Sequence, residues 1–190
     1  MKFCYKYKFF SRIISTYSFF DWIYSDDVEF LRVWRNQQRQ ILRQNNIILK
    51  KEQKRYFKCL YKNSCLKKKP SILILAIRKD EQLVGYGGLS NISWVDKRAE
   101  ISFLVNPKIA KKDKLYTYYH EFFFNNIVNV GFKLLKLGKL YTDTFSYRKK
   151  HIKLLEENGF QQEGILKNHY TKMNRQITSI IHAKINKFKK

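Results

Sequence analysis

Residues 151–170 read HIKLLEENGFQQEGILKNHY, and the architecture follows from this run more than from any other. A short helix over 147–158 ends on Gly159, because a glycine just past the last turn takes the left-handed conformation at no steric cost. A strand over 161–170 follows it. A second strand, 176–186, returns after a turn at Met173, Asn174 and Arg175. The chain therefore finishes as helix, strand, strand.

Upstream, residues 139–145 read as a strand, preceded by a long helix over 115–134 that is expected to turn Tyr118, Tyr119, Phe122, Phe123, Ile127 and Val130 towards the core. Three further strands come before it: a continuous apolar run over 71–78, LVGYGGLSNI over 83–92 and AEISFLVNP over 99–107. The polar turn Lys79-Asp80-Glu81-Gln82 joins the first two into a hairpin buried on both faces. Pro107 ends the third, since proline cannot continue a ladder. Gly85, Gly87 and Gly88 mark a bulge or a close backbone approach within the second. Nearer the N-terminus, Asp26 or Asp27 caps a helix running to about Asn36 with Val28, Leu31 and Trp34 on one face. A helix over 50–62 carries an apolar stripe of Tyr56, Phe57, Leu60 and Tyr61. This order predicts a single α/β (α+β) domain over 1–190, one mixed, mostly antiparallel sheet flanked by helices. Residues 1–20 form an N-terminal extension whose structure the sequence does not define.

At 190 residues the chain suits one domain, which buries roughly 70% of the surface its unfolded form exposes. Its 44% hydrophobic and 16% aromatic residues exclude a disordered chain. The longest pure apolar stretch, 72–77, is far short of the ~18 residues a membrane-spanning helix needs, and residues 1–20 lack the apolar segment and cleavage site of a secretory signal. A soluble, cytoplasmic protein is expected. Cys4, Cys59 and Cys65 are odd in number without ligand spacing, which predicts reduced thiols and no zinc site. His120, His151, His169 and His182 are scattered, and no metal is assigned. The 39 basic against 15 acidic residues leave a net charge of +24, a balance that can attract polyanions. The excess is mostly lysine, spread evenly and accompanied by the Ile, Asn, Tyr and Phe that A/T-rich codons specify, so a nucleic-acid partner is not expected.

In order and spacing, LVGYGGLSNI, AEISFLVNP and HIKLLEENGFQQEGILKNHY resemble the GNAT N-acetyltransferase superfamily from about residue 26 to the C-terminus. The most telling piece is Glu157-Asn158-Gly159-Phe160 followed by Glu163-Gly164, which is similar to a branch containing ribosomal-protein N-terminal and amino-sugar acetyltransferases. VWRN (33–36), LRQN (42–45) and TDTFSYR (142–148) look like enzymes of that branch that acetylate nucleotide-linked amino sugars for surface glycans. The resemblance implies an enzyme that takes an acetyl group from acetyl-CoA and passes it by direct, sequential transfer to the amine of a nucleotide-linked amino-deoxy sugar. It leaves open a protein N-terminus or a polyamine as acceptor, the latter a poor match to a basic surface. It also leaves open a catalytically degenerate domain acting as a basic binding module. Oligomeric state does not follow.

Family members splay two adjacent strands to admit pantetheine, which here implies backbone contacts at Phe103, Leu104 and Val105. Their diphosphate loop, Q/R-x-x-G-x-G/A, aligns with Ala110, Asp113 and Leu115, none of which matches. Lys108, Lys111, Lys112 and Lys114 around Asp113 and Leu115 would supply charge in place of glycine-permitted backbone contact, with Asp113 opposing. Arg148 and Leu155 stand where the family often has an Asn and an acid Tyr. His151 is then expected beside the cofactor, and either Tyr147, a nearby phenol, or a water would replace the missing acid. Glu100 opens the third strand and is either the base or a surface carboxylate paired with Arg98 or a lysine. Asp143 faces the same choice. Arg35 and Arg43 would be forked donors to a diphosphate. Asn36 and Trp34 complete the expected acceptor set, although Trp34 also reads as a core residue.

Overall fold

The computed structural model describes residues 8–187. Helix α1 (Lys8–Thr16) and strand β1 (Phe20–Asp21) lie in the described part of the N-terminal extension. Then come α2 (Asp27–Gln37), a 3-10 turn (Arg39–Ile41), and α3 (Lys50–Arg55), which passes through a π-helical segment (Tyr56–Tyr61) into α4 (Lys62–Cys65). Strands β2 (Leu73–Lys79), β3 (Gln82–Ser93) and β4 (Arg98–Val105) form a meander. The short α5 (Pro107–Ala110) leads to α6 (Asp113–Asn129), which ends in a π-helical turn (Val130–Leu134). Strand β5 (Lys139–Phe145), α7 (Lys149–Glu157), β6 (Gln161–Lys172) and β7 (Arg175–Ile185) complete the chain.

The seven strands form one sheet in the order β1-β2-β3-β4-β5-β7-β6. Every neighbouring pair is antiparallel except β4 and β5. Strand β2 is buried from Leu73 to Ile77 because helices cover both faces of the sheet. On one face Phe123 of α6 lies so close to Gly87 that a Cβ there would sit 2.6 Å from its ring. On the other, Tyr61 donates a hydrogen bond to the Ile74 carbonyl and Arg35 of α2 reaches the Tyr86 hydroxyl. Gly88 adopts a φ of 153°, and a Cβ would meet the Leu73 carbonyl at 2.0 Å, so here glycine serves close strand approach.

Three expectations change. The buried stripe of α6 is Tyr116, Tyr119, His120, Phe123, Phe124 and Ile127, a run of i, i+3, i+4 spacings. Tyr118 and Phe122 are displaced from it and stack on each other at the surface, where Phe122 also meets Phe19 at 4.3 Å between ring centroids. Asp26 makes no capping bond to α2. Asp27 instead accepts the Tyr24 N–H and, together with Asp21, pairs with Arg78. Finally, Cys65 is disulfide-bonded, Cys59 is a free, exposed thiol, and Cys4 lies outside the described residues.

Candidate active site

Strands β4 and β5 pair only through Arg98–Lys139, Ala99–Leu140 and Glu100–Tyr141. Both strands continue, β4 to Val105 and β5 to Phe145, but beyond Glu100 they part. The edge of β4 that faced β5 therefore has no strand partner from Ile101 onwards. A cleft of about 80 Å³ opens there, lined by Arg43, Glu100, Ser102, Phe103, residues 142–145, Arg148 and His151 and closed over by Ile41 and Leu42. Thr142 Oγ1 and Asp143 Oδ1 are buried there without a hydrogen-bond partner among the described residues. Such atoms suit a ligand or solvent more than a sealed core. Of the three backbone groups expected at the cofactor, Phe103 lies on this open edge beside the cleft. The Val105 carbonyl is already taken by the Gln38 amide at 2.9 Å.

At the fork, Glu100 and Asp143 converge on one guanidinium. Arg43 pairs with Glu100 and lies 3.6 Å from Asp143. The carboxylates are almost fully buried, whereas the Arg43 side chain is 44% exposed. Asn91 donates to the second Glu100 oxygen at 2.8 Å, and the Tyr170 hydroxyl donates to Asp143. Burial works against the Arg43 charge, but Glu100 and Tyr170 outweigh it and raise its pKa above the usual value. Glu100 is thus paired with neither Arg98 nor a lysine. The sequence pointed to Arg43, Glu100 and Asp143 separately; the fold brings them to one point. Asn91, with a positive φ of 50°, and Tyr170 were not singled out in the sequence, and no local pattern marks them.

The segment 39–46 carries Arg43 across the fork as a strap. It is tied down by the Tyr147 hydroxyl donating to the Gln40 carbonyl, by the Lys172 ammonium donating to the Gln44 carbonyl, and by Gln44 donating to Asn36 at 2.8 Å. Tyr147, expected to stand in for the missing acid, is spent on this contact and does not line the cleft. Asn36 also accepts the Ile48 N–H at 2.9 Å and donates to the Ile48 carbonyl at 3.0 Å, so its amide shapes the chain after the strap. Trp34 is 7% exposed and belongs to the core. Arg35 contacts Gln44 at 3.1 Å and Tyr86 at 3.0 Å, on the same sheet face as Arg43.

On the opposite face, Arg148 and His151 reach the cleft from α7. The Tyr116 hydroxyl lies 2.8 Å from His151 Nδ1 and accepts from Arg148 at 3.2 Å. Burial raises the Tyr116 pKa, with Arg148 opposing. His151 and His120 are 4.9 Å apart between centroids. Burial, then Arg148, depresses His120 to about 3 and holds His151 well below the ordinary range, so both are neutral. Leu155 is fully buried in the core.

At the start of α6, Lys112 caps without a side-chain bond, and the first helical bond is Tyr116 N–H to the Lys112 carbonyl. The amides of Asp113, Lys114 and Leu115 therefore have no intrahelical acceptor, the condition that makes a helix N-terminus an anion seat. Lys111, Lys112 and Lys114 surround it. The Asp113 carboxylate is turned to Lys150 at 2.6 Å, which offsets its charge. Open strand edge, bare helix amides and lysines fit a pantetheine diphosphate, with lysine charge in place of a glycine cradle.

A family model described as an acetyltransferase (GNAT) domain matches residues 22–181. Among solved structures, spermidine N-acetyltransferase from Vibrio cholerae in complex with CoA and spermine superposes with a TM-score of 0.75 at 18% identity, covering 87% of this chain and 94% of that one. A dodecameric structure of the Vibrio cholerae enzyme in an intermediate state gives 0.69 at 18% identity over 86% and 90%. At that identity the likeness concerns the fold. Comparison with curated proteins finds no match. Among the described residues no helix is long and apolar enough to cross a membrane, and no cluster of His, Cys, Asp and Glu could hold a metal.

Proposed function

The chain belongs to the GNAT acetyltransferase family, and from that premise we propose that it acetylates a compact amine held against Glu100 and Asp143. The observation that carries this reading is the Arg43 contact: two buried carboxylates already hold a cation at the base of the open strand edge. A substrate ammonium needs the same partners, and Arg43, partly exposed on the strap, is the group it displaces.

When bound, acetyl-CoA would supply an acetyl thioester: the amine nitrogen would bond the acetyl carbon, the C–S bond would break, and the CoA thiolate would leave, taking up the proton that the acylated nitrogen gives away. Phe103 on the free edge of β4 would hold the pantetheine arm by its peptide group. The α6 N-terminus with Lys111, Lys112 and Lys114 would hold the diphosphate, and Arg148 and His151 border the cleft. Glu100 accepts the proton of the incoming ammonium, directly or through one water, leaving the neutral amine that transfer requires. Asp143, fixed by Tyr170, orients the amine.

The nucleotide-linked amino sugar expected from Trp34, Arg35 and Asn36 loses support, because Trp34 is core and Asn36 is engaged in shaping the chain. The cavity beside Arg35 is about 350 Å³, at the low end of the ~300–1,000 Å³ usual for small-molecule sites. That suits an acceptor smaller than a nucleotide diphosphate sugar. A polyamine is the second reading, favoured by the same carboxylate pair. Thiol release from acetyl-CoA, followed with benzylamine, spermidine and a uridine-diphosphate amino sugar, tests the choice. The compact amine should turn over fastest; no thiol release with any amine would overturn the acetyltransferase reading.

A further inference from the structure

Between α2, α3 and the sheet lies a cavity of about 350 Å³, walled by Tyr56, Phe57, Tyr61, Tyr86, Ile72 and Ile74. One cationic group, Arg35, lines it. Its Nε donates to Gln44 and its Nη1 to the Tyr86 hydroxyl, and Nη2 has no protein acceptor among the described residues. A guanidinium carries five N–H donors in a planar fork. Two other half-buried arginines are compensated, Arg78 by Asp21 and Asp27 and Arg32 by Glu29, whereas Arg148 at the neighbouring cleft meets the Tyr116 hydroxyl and, among the described residues, no carboxylate. Arg35 has no carboxylate partner among the described residues. Glu52, the acid on the cavity rim, is exposed and spends Oε2 on the Leu49 N–H at 2.7 Å. A charge left without a counter-ion in an aromatic wall is costly unless an anion arrives to meet it.

The cavity floor includes Ser90 and Ser102. Ser90 is paired across the strands with Glu100, and Ser102 also lines the cleft that holds Arg43, Glu100 and Asp143. The two spaces therefore adjoin on one sheet face, an anion-seeking cavity next to a cation-holding fork.

We infer that Arg35 is an anion seat for the acceptor, so that the substrate is a zwitterion: an amine bearing a carboxylate or phosphate on an apolar or ring body that packs between Tyr56 and Tyr86. This rests on the acetyltransferase reading for its amine end. A planar fork takes carboxylate or phosphate in paired hydrogen bonds, and the tyrosines take the body. A polycation such as spermidine meets Arg35 as a like charge.

Calorimetry with phenylacetate, phenyl phosphate and benzyl alcohol tests the seat, and acetyl transfer to 4-(aminomethyl)benzoate against benzylamine tests its use. At least one anion should bind ten times or more tighter than benzyl alcohol, and which anion wins separates carboxylate from phosphate. Arg35→Gln should erase that preference while acetyl-CoA binding stays within about twofold. If that variant does not fold, the wild-type ranking decides alone. 4-(Aminomethyl)benzoate should exceed benzylamine at least tenfold in kcat/KM. Equal binding of anions and alcohol, or equal transfer to both amines, overturns the inference and leaves the acetyltransferase intact. No transfer to any amine, with phenylacetate still held through Arg35, overturns the function and leaves the anion seat standing.

Discussion

Arg43 and Glu100, 57 residues apart in the chain, are ion-paired where β4 and β5 separate. The pair closes the cleft with the protein's own cation, and Arg43→Ala should leave Glu100 and Asp143 buried without one. Stability is expected to fall by about 1–3 kcal/mol, below the ~3–5 of a fully buried pair, because the Arg43 side chain is 44% exposed. Urea unfolding measures it. An unchanged midpoint would mean that the contact is as weak as an ordinary surface pair.

Glu100→Gln should lower turnover at saturating substrates at least tenfold, since a general base contributes about 10²–10⁴. Acetyl-CoA affinity, read by calorimetry, should hold within about twofold. Turnover within threefold of wild type, under ~1 kcal/mol, would remove Glu100 from the chemistry.

Replacing Lys111, Lys112 and Lys114 together by Ala should weaken acetyl-CoA binding more at ~10 mM than at ~1 M salt, where the Debye length shrinks from about 30 to 3 Å. Equal loss at both would show that the lysines act through packing.

Asn36→Ala should cost about 1–3 kcal/mol by leaving the Ile48 N–H unpaired, the Ile48 carbonyl keeping Arg32 as a donor, with little effect on the Michaelis constant of acetyl-CoA. A rise in the acceptor constant at full stability would restore Asn36 to the substrate site.

His120 is fully buried and its pKa is depressed to about 3, chiefly by burial. The unfolded chain takes up that proton near pH 6.5 and the folded chain only near pH 3. Its contribution is therefore intact above about pH 6.5 and is lost as pH falls towards 3, by ~1.4 kcal/mol for each pH unit. His120→Phe should flatten the acid limb of a stability–pH profile; an unchanged slope would place the acid sensitivity elsewhere.

Much of the architecture was legible locally. The β5 strand coincides with the expected 139–145, Gly159 takes its left-handed conformation at a φ of 78°, and the terminal hairpin turns at Met173 and Asn174, both with positive φ. These depend on neighbours within a few residues, where periodicity and turn chemistry act directly. The α6 face was misjudged because a helix aromatic nearly all round leaves the buried stripe to whatever packs beside it, here Phe103 and α7 on one side and Phe19 at the rim.

Residue types and strand position were enough to single out Glu100, Asp143 and Arg43, since carboxylates and a guanidinium are the groups such chemistry uses. Their meeting was not readable, because it needs β5 to lie parallel to β4 for three residue pairs and then part, and a strap from the far side of the sheet to cross the opening. Likewise Asn36 and Arg35 stand side by side in the sequence yet do different work: the Asn36 amide is saturated by Ile48 and Gln44, while the Arg35 fork keeps a free edge in an aromatic cavity. Local sequence sets which elements form and which chemistry is on hand; long-range burial, by deciding which polar groups find partners, sets which of them are left to meet a substrate.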